Sequence, residues 1–215
     1  MTDYDVIVVG GGHNGLVCSA YLAKSGRKVL VLEANDAPGG AASTREFSPG
    51  YSVSGCANWL YQLNPDVVKD LRLHLDYAAR DLDTIGLSPD GKHLTISGDV
   101  VTGDHLSAED KAAFGPFQAK MLKFARLLNT AFKRRPPKLV ENNIHDRMTL
   151  LKLGIDMKLL GKEDMQELLR LALINMYDVM QETFDDELLQ SVLAFEGVMG
   201  SHMGPRSPNT VFGYI

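Results

Sequence analysis

Cysteine is scarce. Cys18 and Cys56 are the only two in 215 residues, which excludes a disulfide framework and suits a reducing compartment. They form no CxxC pair and read as ordinary buried or half-buried thiols. No apolar run approaches the ~20 residues that cross a bilayer. The first apolar segment starts at about Asp5, so no signal peptide is expected. The expected location is the cytoplasm, or the mitochondrial matrix for a longer precursor bearing a presequence. Basic residues are outnumbered, 22 against 27, for a formal charge of −5. That overall balance gives no electrostatic reason to expect nucleic acid or an anionic membrane. His74, His93, His105 and His145 are isolated, so no metal is expected. No Ser-His-Asp arrangement, GKS/T phosphate loop, internal repeat or low-complexity stretch is present. With 45% apolar and 23% charged residues, what remains is an ordinary globular composition, enough for one large or two small domains.

What the chain does have is concentrated between Tyr4 and Gly40. Apolar Val6 to Val9 reads as a strand and runs into Gly10-Gly11-Gly12-His13-Asn14-Gly15. A helical segment follows, then a second apolar strand, Lys28 to Leu32, ending on Glu33. This is the context in which G-x-G-x-x-G signals a dinucleotide-binding βαβ unit. Gly10 allows a sharp turn, Gly12 lets backbone approach a pyrophosphate, and Gly15 lets helix and strand pack closely. The helix N-terminus offers N–H groups and a positive dipole end to the phosphates. Glu33 lies 23 positions after Gly10, close to the ~20 expected for an acid that accepts hydrogen bonds from ribose hydroxyls. It would repel a 2′-phosphate, which argues against NADP. The motif therefore predicts FAD or NAD, held by its adenosine diphosphate group. His13 and Asn14 sit in the loop, either beside the pyrophosphate and as a helix cap, or as loop geometry alone.

A second glycine pair, Gly39-Gly40, opens the segment GGAASTREFSPGYSVS (Gly39 to Ser54), and GVMGSHMGPRSPNTVFGY (Gly197 to Tyr214) lies near the end. With GHNGLVCSAYLAKSGRKVLVLE (Gly12 to Glu33), these segments resemble the FAD-dependent oxidoreductases of the glutathione-reductase-like superfamily. Within it the chain is similar to the phytoene desaturase and carotenoid isomerase group, and to the branch of pyridine nucleotide-disulfide oxidoreductase domain-containing proteins. The resemblance implies FAD as cofactor, with Gly10, Gly12, His13, Asn14, Gly15, Glu33, Gly39, Gly40, Ala41 and Thr44 as candidate contacts. It implies a glutathione-reductase-like α/β fold, a βαβ unit with an inserted hairpin and a helical substrate-domain segment. Many relatives carry Arg where this chain has Ala41, and often Asp where it has Ser54. The family is also about twice as long. A chain of this length is expected to leave sheet edge and helix faces uncovered, to be met by a complementary C-terminal chain, a homo-oligomer or the rest of a longer protein.

The expected domains are 1–80, the cofactor part, and 81–215, the substrate part. Val53 to Leu63 reads as a loop or short helix carrying Trp59, and Asp66 to Leu75 as a short helix. Thr84 to Ser97 reads as a hairpin around Pro89-Asp90-Gly91. Ser107 with Asp110 suggests a capping box, followed by one apolar face: Phe114, Phe117, Met121, Phe124, Leu128 and Ala131. Further helices are expected over Asp146–Leu160, over Lys162–Met176, and from Thr183 onward, capped by Thr183 with Asp186. Apolar faces usually mean core; some of these residues could instead line a pocket for an apolar small-molecule substrate. Lys133 to Arg135 reads as a solvated helix end, with peripheral contact to lipid headgroups as the alternative. No catalytic residue is assigned, although His202 and Arg206 lie in the late family-like loop. Three readings stand. The first is an FAD oxidoreductase that desaturates, oxidises or isomerises a carotenoid- or retinoid-like substrate. The second is an amine oxidase-like enzyme, and the third a non-catalytic FAD- or ADP-binding protein.

Overall fold

Runs of valine, isoleucine and leucine make the first two strands, β1 (Val6–Val9) and β2 (Val29–Leu32). The computed structural model describes residues 3–57, 63–77, 79–138 and 143–215. β1 and β2 pair in parallel, Val6 opposite Val29 and Val9 opposite Leu32. Parallel neighbours need a crossover, and α1 (His13–Lys24) supplies it. β3 (Thr44–Ser48) and β4 (Tyr51–Ser54) form a hairpin that the sequence pattern does not announce. Its turn is fixed by Gly50, at φ +80°, whose N–H donates to Glu46 Oε1 at 2.7 Å. α2 (Pro65–Leu71) is shorter than expected: Asn64 caps it and Arg72 ends it in a left-handed conformation. Of the loop or short helix expected over Val53–Leu63, Val53 and Ser54 belong instead to β4, and 58–62, with Trp59, lie outside the described residues.

Residues 79–215 form a second compact unit, apart from 1–78. β5 (Thr84–Gly86), β6 (Leu94–Ser97) and β7 (Val100–Thr102) make an antiparallel sheet in sequence order. The expected hairpin is thus extended by a strand, reached through Gly98 at φ +60°. α3 (Ala108–Phe132) starts where expected, with Ser107 Oγ accepting from the Asp110 N–H at 2.9 Å. Asp110 does not return the bond as a capping box would. Its buried carboxylate accepts from the N–H groups of Asp185 at 2.8 Å and Asp186 at 3.1 Å. A buried donor left without its acceptor costs about 1–3 kcal/mol, so this acid pins the segment ahead of a distant helix.

α4 (Ile144–Leu159) follows. The helix expected over Lys162–Met176 stops at Leu171 as α5 (Lys162–Leu171), and an unexpected helix, α6 (Met176–Thr183), begins at Met176. Asn175 separates them, its side chain capping the Asp178 N–H at 2.9 Å. α7 (Glu187–Val198) is capped by Asp186 rather than Thr183. The Thr183 hydroxyl donates back to the Val179 carbonyl. α8 (Val211–Tyr214) closes the described chain. The core of this unit joins Leu94 and Val101 of the sheet to Phe114, Phe117, Met121 and Phe124 of α3, and to residues of α5–α8. Phe184 packs edge-on against Phe117 at 5.4 Å.

Candidate dinucleotide site

β1 stops at Val9 because the chain turns where an L-side chain would be strained. Gly10 has φ +101°, and its N–H reaches across to the Leu32 carbonyl at 2.7 Å. Gly11 is buried, and its N–H donates to Glu33 Oε2 at 2.6 Å. The first βα turn and the end of the second strand are therefore tied through one carboxylate. Gly12 precedes α1 in an extended conformation with no capping side chain, and the first turn carries no acid. The positive end of the α1 dipole is left for an external anion. A Cβ on Gly15 would lie 2.2 Å from the Gly10 carbonyl oxygen, so helix and turn can approach only with glycine there.

The glycine doublet lands on the same turn. The Gly39 N–H donates to the Gly11 carbonyl at 2.8 Å, and Gly12 and Gly39 form a parallel bridge. A Cβ on Gly40 would stand 2.9 Å from Gly12 Cα. Two glycine segments, far apart in sequence, thus meet backbone to backbone beside the α1 N-terminus. Gly39 (φ +140°) and Gly40 (φ +56°) are both held where side chains are disfavoured.

Glu33 is fixed at both oxygens. The Asn35 N–H donates to Oε1 at 3.0 Å, the Gly11 N–H to Oε2, and the Asn35 amide again to Oε1 at 2.8 Å. These donors hold its carboxyl below the ordinary carboxylate value, the Asn35 backbone first and Gly11 second. A carboxylate has about four acceptor directions, so capacity remains for a ribose hydroxyl. Gly11 and Asn35 are the two residues here that the motif passes over. Gly11 is one of the variable positions of G-x-G-x-x-G. Yet a Cβ there would meet Glu33 Oε2 at 3.0 Å and Pro38 Cβ at 3.1 Å.

The other candidates lie further out. His13 and Asn14 are exposed in the first turn of α1, and Asn14 does not cap it. Ala41 and Thr44 are exposed beyond the doublet. The Ala41 carbonyl accepts from Ala57, and Thr44 pairs with Ser54. His202 and Arg206 belong to the other unit, where the Arg206 guanidinium stacks 3.8 Å above the Tyr177 ring. Both cysteines are free and exposed, contrary to the buried or half-buried setting expected: Cys18 falls on an open position of α1, and Cys56 follows β4. Among the described residues no group of three potential metal ligands occurs, and no helix is long and apolar enough to cross a membrane.

Comparison with known proteins agrees with this geometry at the level of the domain. Residues 8–72 match the family model of the NAD(P)-binding Rossmann-like domain. Over 99% of its length the chain is 28% identical to pyridine nucleotide-disulfide oxidoreductase domain-containing protein 2 of Rattus norvegicus, covering 40% of that protein. It is 42% identical over 100 residues to a limonene dehydrogenase polypeptide of Castellaniella defragrans, covering 45% of this chain and 18% of that one. Over 86 residues it is 33% identical to a pseudooxynicotine dehydrogenase of a Pseudomonas species, covering 40% of this chain and 16% of that one. The chain spans about 40% of the length of the relative that it matches nearly end to end. It carries a Rossmann-like dinucleotide-binding domain and is similar to oxidoreductases.

Proposed function

We propose that the chain is the cofactor-binding part of an FAD-dependent oxidoreductase with a glutathione-reductase-like arrangement, acting on an extended apolar substrate. The observation that carries the cofactor reading is the contact of Gly39-Gly40 with Gly11-Gly12. One dinucleotide turn needs one glycine loop. A second loop bare of side chains, docked on the first, suits a cofactor that continues past its pyrophosphate along protein backbone. The N–H groups at the start of α1 would take the pyrophosphate. Ionised Glu33 would accept from the adenine-side ribose, and its charge disfavours a 2′-phosphate. Gly39 and Gly40 would let the backbone approach the flavin side. Bound flavin supplies the redox chemistry; the protein binds, orients and tunes it.

The substrate reading rests on the resemblance to desaturases of long polyenes and on the relative named for limonene, a hydrocarbon. The relative named pseudooxynicotine dehydrogenase supports the alternative of a polar, amine-like substrate. Anaerobic mixing of the FAD-loaded full-length protein with polyenes and with amines separates them. Bleaching of the flavin by a polyene supports the first. Bleaching by amines with no response to polyenes replaces it with the second. A protein that holds FAD and is reduced by neither class of compound would support the non-catalytic reading.

A further inference from the structure

α4 is apolar on two opposite faces, and only one of them is packed. Asp146 and Met157 turn inward, the first buried and the second against the core of the second unit. On the other side Ile144, Met148, Leu151, Ile155 and Leu159 are each between 45% and 78% exposed. At ~100° per residue these five fall within an arc of about 80°, a continuous stripe along the whole helix. Buried and exposed apolar faces on one helix are not what a helix lying on a core shows, where the outer face is polar.

The edges of the stripe are cationic. Arg147 and Lys158 flank it on one side and Lys152 on the other, all exposed. The end of α3, with exposed Phe132, Lys133 and Arg135, packs beside Thr149 and Leu153, on the flank of α4 away from the stripe. Of the two acids on α4, Asp146 is buried on the opposite face. Asp156 lies 2.9 Å from the Arg134 guanidinium, a close ion pair without hydrogen-bond alignment. The net charge of −5 is an average that hides this corner.

We infer that the exposed face of α4 docks on the surface of an anionic lipid bilayer. The occupant follows from charge. An apolar stripe rimmed by Lys and Arg matches a helix lying in the plane of a membrane interface, its apolar side among acyl chains and its cations among headgroups. A second copy placed stripe to stripe would set the cationic rims against one another. The inference is independent of the cofactor assignment, which concerns the other unit.

The test is co-sedimentation of the full-length protein, and beside it the 215-residue chain, with phosphatidylcholine vesicles, with and without about 30% phosphatidylglycerol, in low and high salt. Binding is expected to the anionic vesicles and to weaken with salt. K152E/K158E should lower the partition coefficient by about 10-fold or more, given ~1 kcal/mol per basic residue at such a surface. L151Q/I155Q should lower it on vesicles of either composition. Both pairs are exposed, and circular dichroism checks that the variants stay helical. Three results would overturn the inference. One is no binding to anionic vesicles by the folded full-length protein, whose further residues would then cover the stripe. Another is binding that neither double variant reduces. The third is a dimer in solution that L151Q/I155Q dissociates.

Discussion

The two units differ in where their information lies. In the first, chemistry is dense and packing is thin. Among the described residues it contributes no large apolar side chain to a buried core, and Ile7, Val9 and Leu32 of its two-stranded sheet are exposed. In the second, the core is continuous from Leu94 to Val211, while no constellation of catalytic groups is evident among the described residues. Parallel sheets are normally covered on both faces, so β1 and β2 hold a shape set by glycines and hydrogen bonds more than by burial. A binding motif and a stable core are separate properties, and this chain places them in separate stretches of sequence.

The contrast can be broken in order of effect. Phe124→Ala empties a fully buried position of the second unit and should cost about 3–5 kcal/mol, read by denaturant unfolding. Flavin binding by the first unit should respond much less. Asp110→Ala strands the Asp185 and Asp186 N–H groups and should cost about 1–3 kcal/mol in the same assay. Gly15→Val reverses the pattern. Its Cβ cannot fit 2.2 Å from the Gly10 oxygen, so nucleotide binding should be lost in equilibrium dialysis while the main unfolding transition stays in place.

Glu33→Gln is the mildest change. It should weaken binding of adenosine diphosphate by roughly 10-fold, since hydrogen bonds to charged acceptors are stronger than those to neutral ones. It should also flatten the acid response of the turn. The folded carboxyl sits below its ordinary value of 4.5, held there by the Asn35 and Gly11 donors. Its stabilising effect is therefore present above about 4.5 and lost as pH falls through the lower folded value. Hydrogen exchange at Gly11, followed from about pH 6 to about pH 3, should accelerate relative to the variant only at the acid end.

The βαβ turn was legible because glycine spacing encodes backbone geometry directly. Gly10, Gly15, Gly39 and Gly40 each occupy a position whose conformation or clearance demands glycine. The long face of α3 was legible by its period. The misses have physical reasons. β3 is exposed throughout and Phe47 is its one large apolar residue, so no alternation announces it. α5 reads five residues too long because Leu171 to Ile174 continues the apolar pattern, and only Asn175, the cap of α6, marks the break. Asp110 reads as a local cap partner, whereas its partners lie about 75 residues away, beyond any local pattern. The exposed stripe of α4 has the same period as a buried one, and only the structure shows which apolar face is packed.

The central claim, that this chain binds FAD at the meeting of its two glycine segments, is tested most directly by visible absorption. The purified chain is mixed with FAD, excess cofactor is removed, and the spectrum is compared with that of Gly15→Val treated identically. The account predicts a retained flavin spectrum in the parent and none in the variant. A colourless parent that also fails in its full-length form, or a variant that retains flavin equally well, would contradict it.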